Sequence, residues 1–364
     1  MKQKSKIIAY RQTDRQTDRQ TDRQLNLSKC DVIKVLMMLT VMFYHCICLW
    51  SRSGWFNQAP SQPSAILAYL CGWFNSFHIY VFAFVSGYLF FYLKYEKGKY
   101  KSIKTYISNR GIRLLVPYIA TAMIWVIPFY VFYYDTNAMD IVNRFALATS
   151  PNQLWFLVML FGVSCIFYIC SDLFYKKNLL FGIVLVLIFY GIGTIGGIFL
   201  PNVFQIWTVC KYMLFYYMGF VFRKYKNNVF YRIPWIVYFV VDVMVFAFYF
   251  YFTIMQGGII FKLLNTVLNP ICNILGTLTV VIGISKFKYE KIQNTKIYIF
   301  LVKHNFVMYL FHQQLIYISI SLFNNKISTS LMVLVNFMFS FLVSALIAII
   351  LSKIPKVKNV FGYK

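Results

Sequence analysis

Charge is scarce in this chain, and most of it has one sign. Only 13% of its 364 residues are charged, Lys and Arg number 36 against 10 Asp and Glu, and there are four histidines. With 60% hydrophobic and 20% aromatic residues, that scarcity excludes a soluble globular domain of this length. Cysteine supplies no framework either. Its eight copies, Cys30, Cys46, Cys48, Cys71, Cys165, Cys170, Cys210 and Cys272, lie mostly in apolar stretches and form no CxxC pair, so they read as small packing residues and not as a metal site or disulfide scaffold. No cleavable leader is expected, because a polar stretch of about thirty residues precedes the first apolar segment, which is itself long enough to span a membrane.

Long apolar runs are what the chain does have. Ten stretches of about twenty residues stand out, at approximately 32–50, 71–93, 114–134, 153–171, 179–200, 207–222, 234–254, 266–285, 298–322 and 331–352. The expected fold is all-α and integral to the membrane, with about ten transmembrane helices over residues 30–364 and a disordered tail over residues 1–29. The net charge of +26 then has a topogenic reading. Loops on one side, together with the tail after residue 352, carry 22 Lys and Arg, seven of them between Lys94 and Arg113; the opposite loops carry four, Arg52, Arg144, Lys262 and Lys326. By the positive-inside rule both termini are cytoplasmic, and nucleic acid is not an expected partner.

Residues 11–24 read RQTDRQTDRQTDRQ, a strict polar repeat with no apolar stripe, which cannot build a core and is expected to be disordered. A perfect four-residue period also arises when the tetranucleotide ACAG is repeated. Gain or loss of one unit would shift the reading frame and switch expression on and off; mixed synonymous codons across the repeat would refute that origin. A neutral low-complexity tail is the alternative.

Ionisable groups inside apolar spans are costly and therefore mark candidate chemistry. His45 lies in the first span, eleven residues after Lys34, which at 3.6 residues per turn puts both on one helix face with Asp31 close by, the cation roughly 16 Å from the ring. His78 enters the second span in FHIYVFAFVSGY, residues 77–88, at the depth of His45, roughly 8 to 10 Å below the outer surface by helical rise. The two imidazoles can converge there; a bond from His78 to a backbone carbonyl is the simpler alternative. Ser86 and Gly87 follow, a small pair that lets a neighbouring backbone approach. Arg110 and Arg113, one turn apart where the third span begins, can grip phosphate bidentately with help from the helix amino terminus, or simply anchor topology. Asp242 and Lys211 are expected to form a structural ion pair, and Asn265, Asn269 and Asn273 a polar stripe that binds sugar hydroxyls or glues helices. His304 reads as interfacial.

Taken in order, Asp31-x-x-Lys34 with His45 eleven residues on, FHIYVFAFVSGY, Arg110-Gly111-Ile112-Arg113 before LLVP, Leu154-Trp155-Phe156-Leu157, and Tyr309-Leu310-Phe311-His312 make the chain resemble the acyltransferase-3 family of multi-span membrane acyltransferases, and more closely its sugar O-acetylase branch. The resemblance covers essentially residues 28–352. It implies acyl-CoA, usually acetyl-CoA, as co-substrate with no permanently bound cofactor, and a hydroxyl of a cell-surface glycan (lipopolysaccharide, capsule or similar) or its lipid-linked precursor as acceptor, at the bacterial inner membrane. By position His45 is the catalytic histidine, Lys34 stands where arginine is common, and Arg110 and Arg113 match the cytoplasmic arginine pair. Lys34 keeps the charge but loses the planar fork, and Tyr80 stands where proline is common. His78 is carried as a second catalytic candidate. Asp31, Ser86, Trp155, Asp242, Asn269 and His312 are carried as acceptor or structural polar groups. The rival is a polytopic glycan exporter or proton-coupled transporter, against which no inverted repeat is evident.

Overall fold

The computed structural model describes residues 26–363 apart from 52–53, 56, 61, 226–228 and 256–257; the amino-terminal repeat lies outside the described residues. The described chain is helical, with no strand: α1 (Leu27–Ile47), α2 (Ala65–Asn75), α3 (His78–Phe91), α4 (Ile103–Thr121), α5 (Ile127–Tyr133), α6 (Ala138–Ile141), α7 (Trp155–Lys176), α8 (Leu179–Phe199), α9 (Ile206–Lys224), α10 (Trp235–Ile254), α11 (Ile259–Lys286), α12 (Glu290–Gln293), α13 (Lys296–Phe323), α14 (Thr329–Lys353) and α15 (Pro355–Val360). Helix starts follow local chemistry. The Asn26 carboxamide accepts from Lys29 N (2.9 Å), Ser64 Oγ from Leu67 N (3.3 Å), and Asn178 Oδ1 from Phe181 N (2.9 Å), each satisfying a first-turn donor.

Among the described residues nine helical segments are long and apolar enough to cross a membrane. The stretch expected at 207–222 is the nineteen-residue helix α9, which is not among them. Its sequence includes Lys211, Arg223 and Lys224 and four other polar or tyrosine positions, and its surface is buried by protein over most of its length. Two expected boundaries are corrected. The span expected at 71–93 is two helices, broken at Ser76 and Phe77, where Ser76 Oγ donates to the Trp73 carbonyl (2.7 Å) in competition with the helix. The span expected from 114 begins at Ile103, because Arg and Lys are good helix formers that hydropathy does not register. Arg110 and Arg113 are therefore two turns inside α4, and the expected help from a helix amino terminus is absent.

The chain divides into two compact units. The described residues of the first are 26–36 and 225–302, those of the second 37–224 and 303–363. In the first unit α10 lies along α11, with Trp235 Nε1 donating to the Thr279 carbonyl (2.9 Å) over Gly283, where a Cβ would stand 2.5 Å from the indole nitrogen. Lys29, buried, donates to the Ser285 carbonyl (2.5 Å) and lies over the Tyr289 ring.

The second unit is built around α3 and α9, which run side by side in the same direction. They are joined at three levels: Tyr80 stacks on Tyr212 (4.7 Å, 7°), Gly87 and Gly219 meet the facing backbone, and Arg223 at the far end grips both Glu96 oxygens (2.9 and 2.6 Å) and Tyr88 Oη (2.8 Å). The Gly87 expectation is met in full. A Cβ at Gly87 would lie 1.8 Å from the Tyr216 carbonyl oxygen, and one at Gly219 lies 1.8 Å from the Phe84 carbonyl oxygen, so each glycine admits the other helix. Ser86 itself returns its hydroxyl to the Phe82 carbonyl (2.9 Å). All eight cysteines are free thiols, six of them buried, which agrees with their reading as packing residues.

Candidate active site

His45 sits near the end of α1 with its Nδ1 2.9 Å from His312 Nε2 of α13, while His312 Nδ1 lies 2.6 Å from the Tyr309 carbonyl. A carbonyl only accepts, so the proton of His312 is on Nδ1 and its Nε2 carries a lone pair. His45 must then donate from Nδ1. A backbone hydrogen bond to Val41 acts on the same ring. The relay leaves the His45 Nε2 lone pair unspent. Around it, the Trp55 ring stacks on the imidazole (5.5 Å, 18°), held by a tight turn in which Trp55 and Gln58 exchange backbone bonds of 3.0 and 3.1 Å.

The support behind the relay is long range. Tyr309 Oη donates to the Gln153 carbonyl, and Gln153 Nε2 donates to the Leu310 carbonyl (2.8 Å) and Gln314 Oε1 (2.7 Å), locking the turn before α7 onto α13. Sequence reasoning placed His312 in a motif without a role and missed Gln153, Gln314 and Trp55. Nothing in helical periodicity connects residues 267 positions apart.

His45 and His78 line one cavity of about 410 Å³, together with Tyr44, Tyr80, Gln153, Trp155, Gln205, Lys211, Tyr212 and Tyr309, among others. The expected convergence of the two imidazoles is thus met at the level of the cavity, although the direct partner of His45 is His312, and Tyr44 packs against both cavity rings (4.9 and 4.7 Å). His78 opens α3, and its Nδ1 lies 2.6 Å from the Phe74 carbonyl. That backbone bond fixes the same tautomer, with Nε2 as acceptor. Trp155 is at the wall, edge-on to Tyr212. Of the residues in the left-handed region, a costly conformation for side-chain-bearing residues, Gln205 lines the cavity, and Phe204 and Asn152 directly precede the lining residues Gln205 and Gln153. Gln205 is held there by donating to the Ala148 and Thr149 carbonyls (2.7 and 3.0 Å).

Arg110 lies over the Tyr106 ring and donates from Nε to Tyr106 Oη (3.2 Å), which in turn is 3.4 Å from Tyr216 Oη. Tyr216 is one helical turn, about 6 Å, beyond the cavity residue Tyr212 on α9. Tyr100, between the second and third spans, feels both arginines: burial pushes its phenol pKa up, against the pull of Arg110 and Arg113. The pair therefore shares one neighbourhood, on the second unit.

The remaining candidates fall elsewhere. Lys34 pairs with Asp31 (2.9 Å) one turn away in the first unit, both partly exposed. Asp242 is buried in α10 of that unit. Asn269 Nδ2 donates to Tyr249 Oη of the neighbouring helix (3.1 Å) and Asn273 Nδ2 to Asn269 Oδ1 (3.0 Å), which favours the reading of that stripe as helix glue. His304, expected at the interface, is buried with its Nδ1 2.7 Å from Tyr363 Oη, because the carboxy-terminal segment folds back over it.

These features define a multi-pass helical membrane protein with a tautomer-fixed imidazole on an internal cavity. The acyltransferase-3 family model, described as an acyltransferase domain, matches residues 28–353, and the chain belongs to this family. It is thus a membrane acyltransferase by family. No curated protein and no solved structure matches the chain.

Proposed function

We propose that the protein is an O-acetyltransferase of the bacterial inner membrane. It moves an acetyl group from cytoplasmic acetyl-CoA to a hydroxyl of a cell-surface glycan, such as lipopolysaccharide or capsule, or of its lipid-linked precursor. The observation that carries the reading is the relay from the Tyr309 carbonyl through His312 to His45, which leaves His45 Nε2 as a base on the cavity.

In this reading the acceptor hydroxyl gives its proton to His45 Nε2 as its oxygen bonds to the thioester carbonyl carbon. The carbon–sulfur bond then breaks, and the sulfur takes the proton from His45 and leaves as the CoA thiol. Positioned proton transfer of this kind contributes about 10² to 10⁴ in rate. The imidazolium formed in passing strengthens its Nδ1 bond to His312, since a charged donor makes the stronger hydrogen bond. His78, which faces the same cavity through Nε2, is the second acceptor of a hydroxyl proton. Arg110 and Arg113 supply guanidinium forks for the CoA phosphates, Arg110 being linked through Tyr106 to Tyr216, one turn of α9 from Tyr212.

The test is His45→Ala in the full-length protein. Membrane insertion should be retained, transfer of labelled acetyl to envelope glycan lost, and the glycan should lose the mass of its acetyl groups while remaining at the surface. Normal acetylation by this variant would remove the central claim, and disappearance of the whole glycan would indicate an exporter.

A further inference from the structure

Lys211 is the one charged side chain among the described residues lining the cavity, and no Asp or Glu is among them. It stands on α9, half-buried, with its stem laid along α8 where glycine leaves room. A Cβ at Gly193 would meet Lys211 Cγ at 3.0 Å, and one at Gly197 would be 3.8 Å from Nζ. Within the second unit its amine makes no hydrogen bond or ion pair among the described residues. Neither cavity histidine brings a negative charge. A half-buried ammonium is costly unless an anion meets it, and the described wall of this cavity supplies none.

Two polar neighbours, Gln205 and Thr208, are already engaged. Gln205 spends both amide hydrogens on carbonyls, and its oxygen accepts from Asn202 (3.1 Å) and Thr208 (3.1 Å). An entering ligand therefore meets Lys211 as the cation at hand. Trp155, Tyr80 and Tyr212 also line the cavity, aromatic surface of a kind that suits the carbon–hydrogen side of a sugar. A volume of about 410 Å³ is at the small end of the roughly 300–1,000 Å³ usual for ligand pockets, and fits a sugar better than a whole acyl-CoA.

We propose that this cavity takes an acidic sugar, and that Lys211 reads its carboxylate or phosphate while the hydroxyl to be acylated faces His45. The proposal rests on the reading of the cavity as the acceptor site. It narrows the acceptor from glycans in general to those that carry an acid group.

The experiment is calorimetric titration of the full-length protein in lipid nanodiscs with methyl glucuronide, glucose 6-phosphate and methyl glucoside. At least one acidic probe should bind about tenfold more tightly than methyl glucoside. Lys211→Gln should abolish that preference, Lys211→Arg should keep part of it, and Asp242→Asn should leave it unchanged. Equal binding of all three probes, absence of binding, a preference that survives Lys211→Gln, or one that Asp242→Asn removes would each overturn the proposal. Lys211→Gln should also leave acetyl-CoA affinity within about twofold; a tenfold loss would put the anion on the donor and overturn it too. Binding needs no turnover, so a protein that binds acidic sugars yet transfers no acetyl group would refute the transferase reading alone.

Discussion

Replacing Gly87 with alanine should both loosen the second unit and lower its activity, and the size of the effect follows from one contact. The added Cβ would start 1.8 Å from the Tyr216 carbonyl oxygen and 2.7 Å from the carbonyl carbon, both backbone atoms that no rotamer change can move aside. Reaching ordinary contact near 3.4 Å requires α3 and α9 to part by about 1.6 Å at that level. A radial gap of even 0.5–1 Å forfeits roughly a quarter to a half of the dispersion energy across an interface. Overpacked cores lose about 1–3 kcal/mol, and the two nearest atoms being backbone puts this site at the upper figure. At roughly 2–4 °C per kcal/mol for a body of this size, the apparent melting midpoint in detergent should fall by about 6–12 °C. Gly219→Ala should do the same through the Phe84 carbonyl, and the double variant should cost less than the sum, because both changes part the same two helices. Gly191→Ala is the control. No atom lies within 4 Å of its Cβ position, so its midpoint should be unchanged or slightly raised. Since α3 carries His78 and α9 carries Lys211, acyl transfer should fall together with stability. A Gly87→Ala midpoint within about 2 °C of the parent, measured by thermal scanning with gel filtration, would refute the close-approach argument.

Two further outcomes are expected. His312→Ala removes the acceptor of the His45 Nδ1 proton and leaves a buried donor short of a partner, a cost of about 1–3 kcal/mol, so kcat should drop roughly 5- to 150-fold with little change in the KM for acetyl-CoA. His312→Gln, whose amide oxygen can accept the same bond, should recover much of it; equal defects in both variants would reduce His312 to a packing residue. Arg110→Ala should raise the KM for acetyl-CoA about tenfold or more, by loss of a charge-assisted bond, and Arg110→Lys should not restore it because the fork is lost. An unchanged KM in a folded Arg110→Ala protein would remove the arginine from the donor site.

How much of this was legible in the sequence varies with the range of the interaction. An ionisable ring inside an apolar span marks itself, so His45 and His78 were found from residues alone, and the facing of Lys34 toward Asp31 followed from helical period. The Gly87 close approach was also legible, because a small residue in a span has few other uses. The boundaries of the third span were not, since hydropathy sees the membrane-facing part of a helix and stops at the first arginines, although those arginines continue the helix. The break at Ser76 was hidden for the opposite reason: an uninterrupted apolar run conceals a hydroxyl that has turned back on its own helix. The partner of His45 could not be read at all. His312 reaches it across 267 residues of chain, and its own orientation depends on a carbonyl three residues away.

That relay also bears on how the imidazole can work. In a serine-hydrolase triad a buried carboxylate stands behind the histidine and stabilises the imidazolium. Here the relay ends on the Tyr309 carbonyl, a dipole without charge, and the described residues of the cavity wall include no acid. The Trp55 face stacked on His45 offers a partial substitute, because an aromatic ring attracts a cation across its face. Lys211 works in the other direction: its ammonium on the same cavity repels the positive charge that His45 would carry during transfer. An acid group on the acceptor would cancel that charge at the moment the base is needed. The acceptor proposed for Lys211 should therefore act on the chemical step as well as on binding. An acidic acceptor should show a higher kcat than its neutral analogue at saturation, and in Lys211→Gln the two should converge, with the neutral sugar gaining. Should acid and neutral acceptors differ in KM alone, with equal kcat in both proteins, the lysine would be a binding contact that leaves the base untouched.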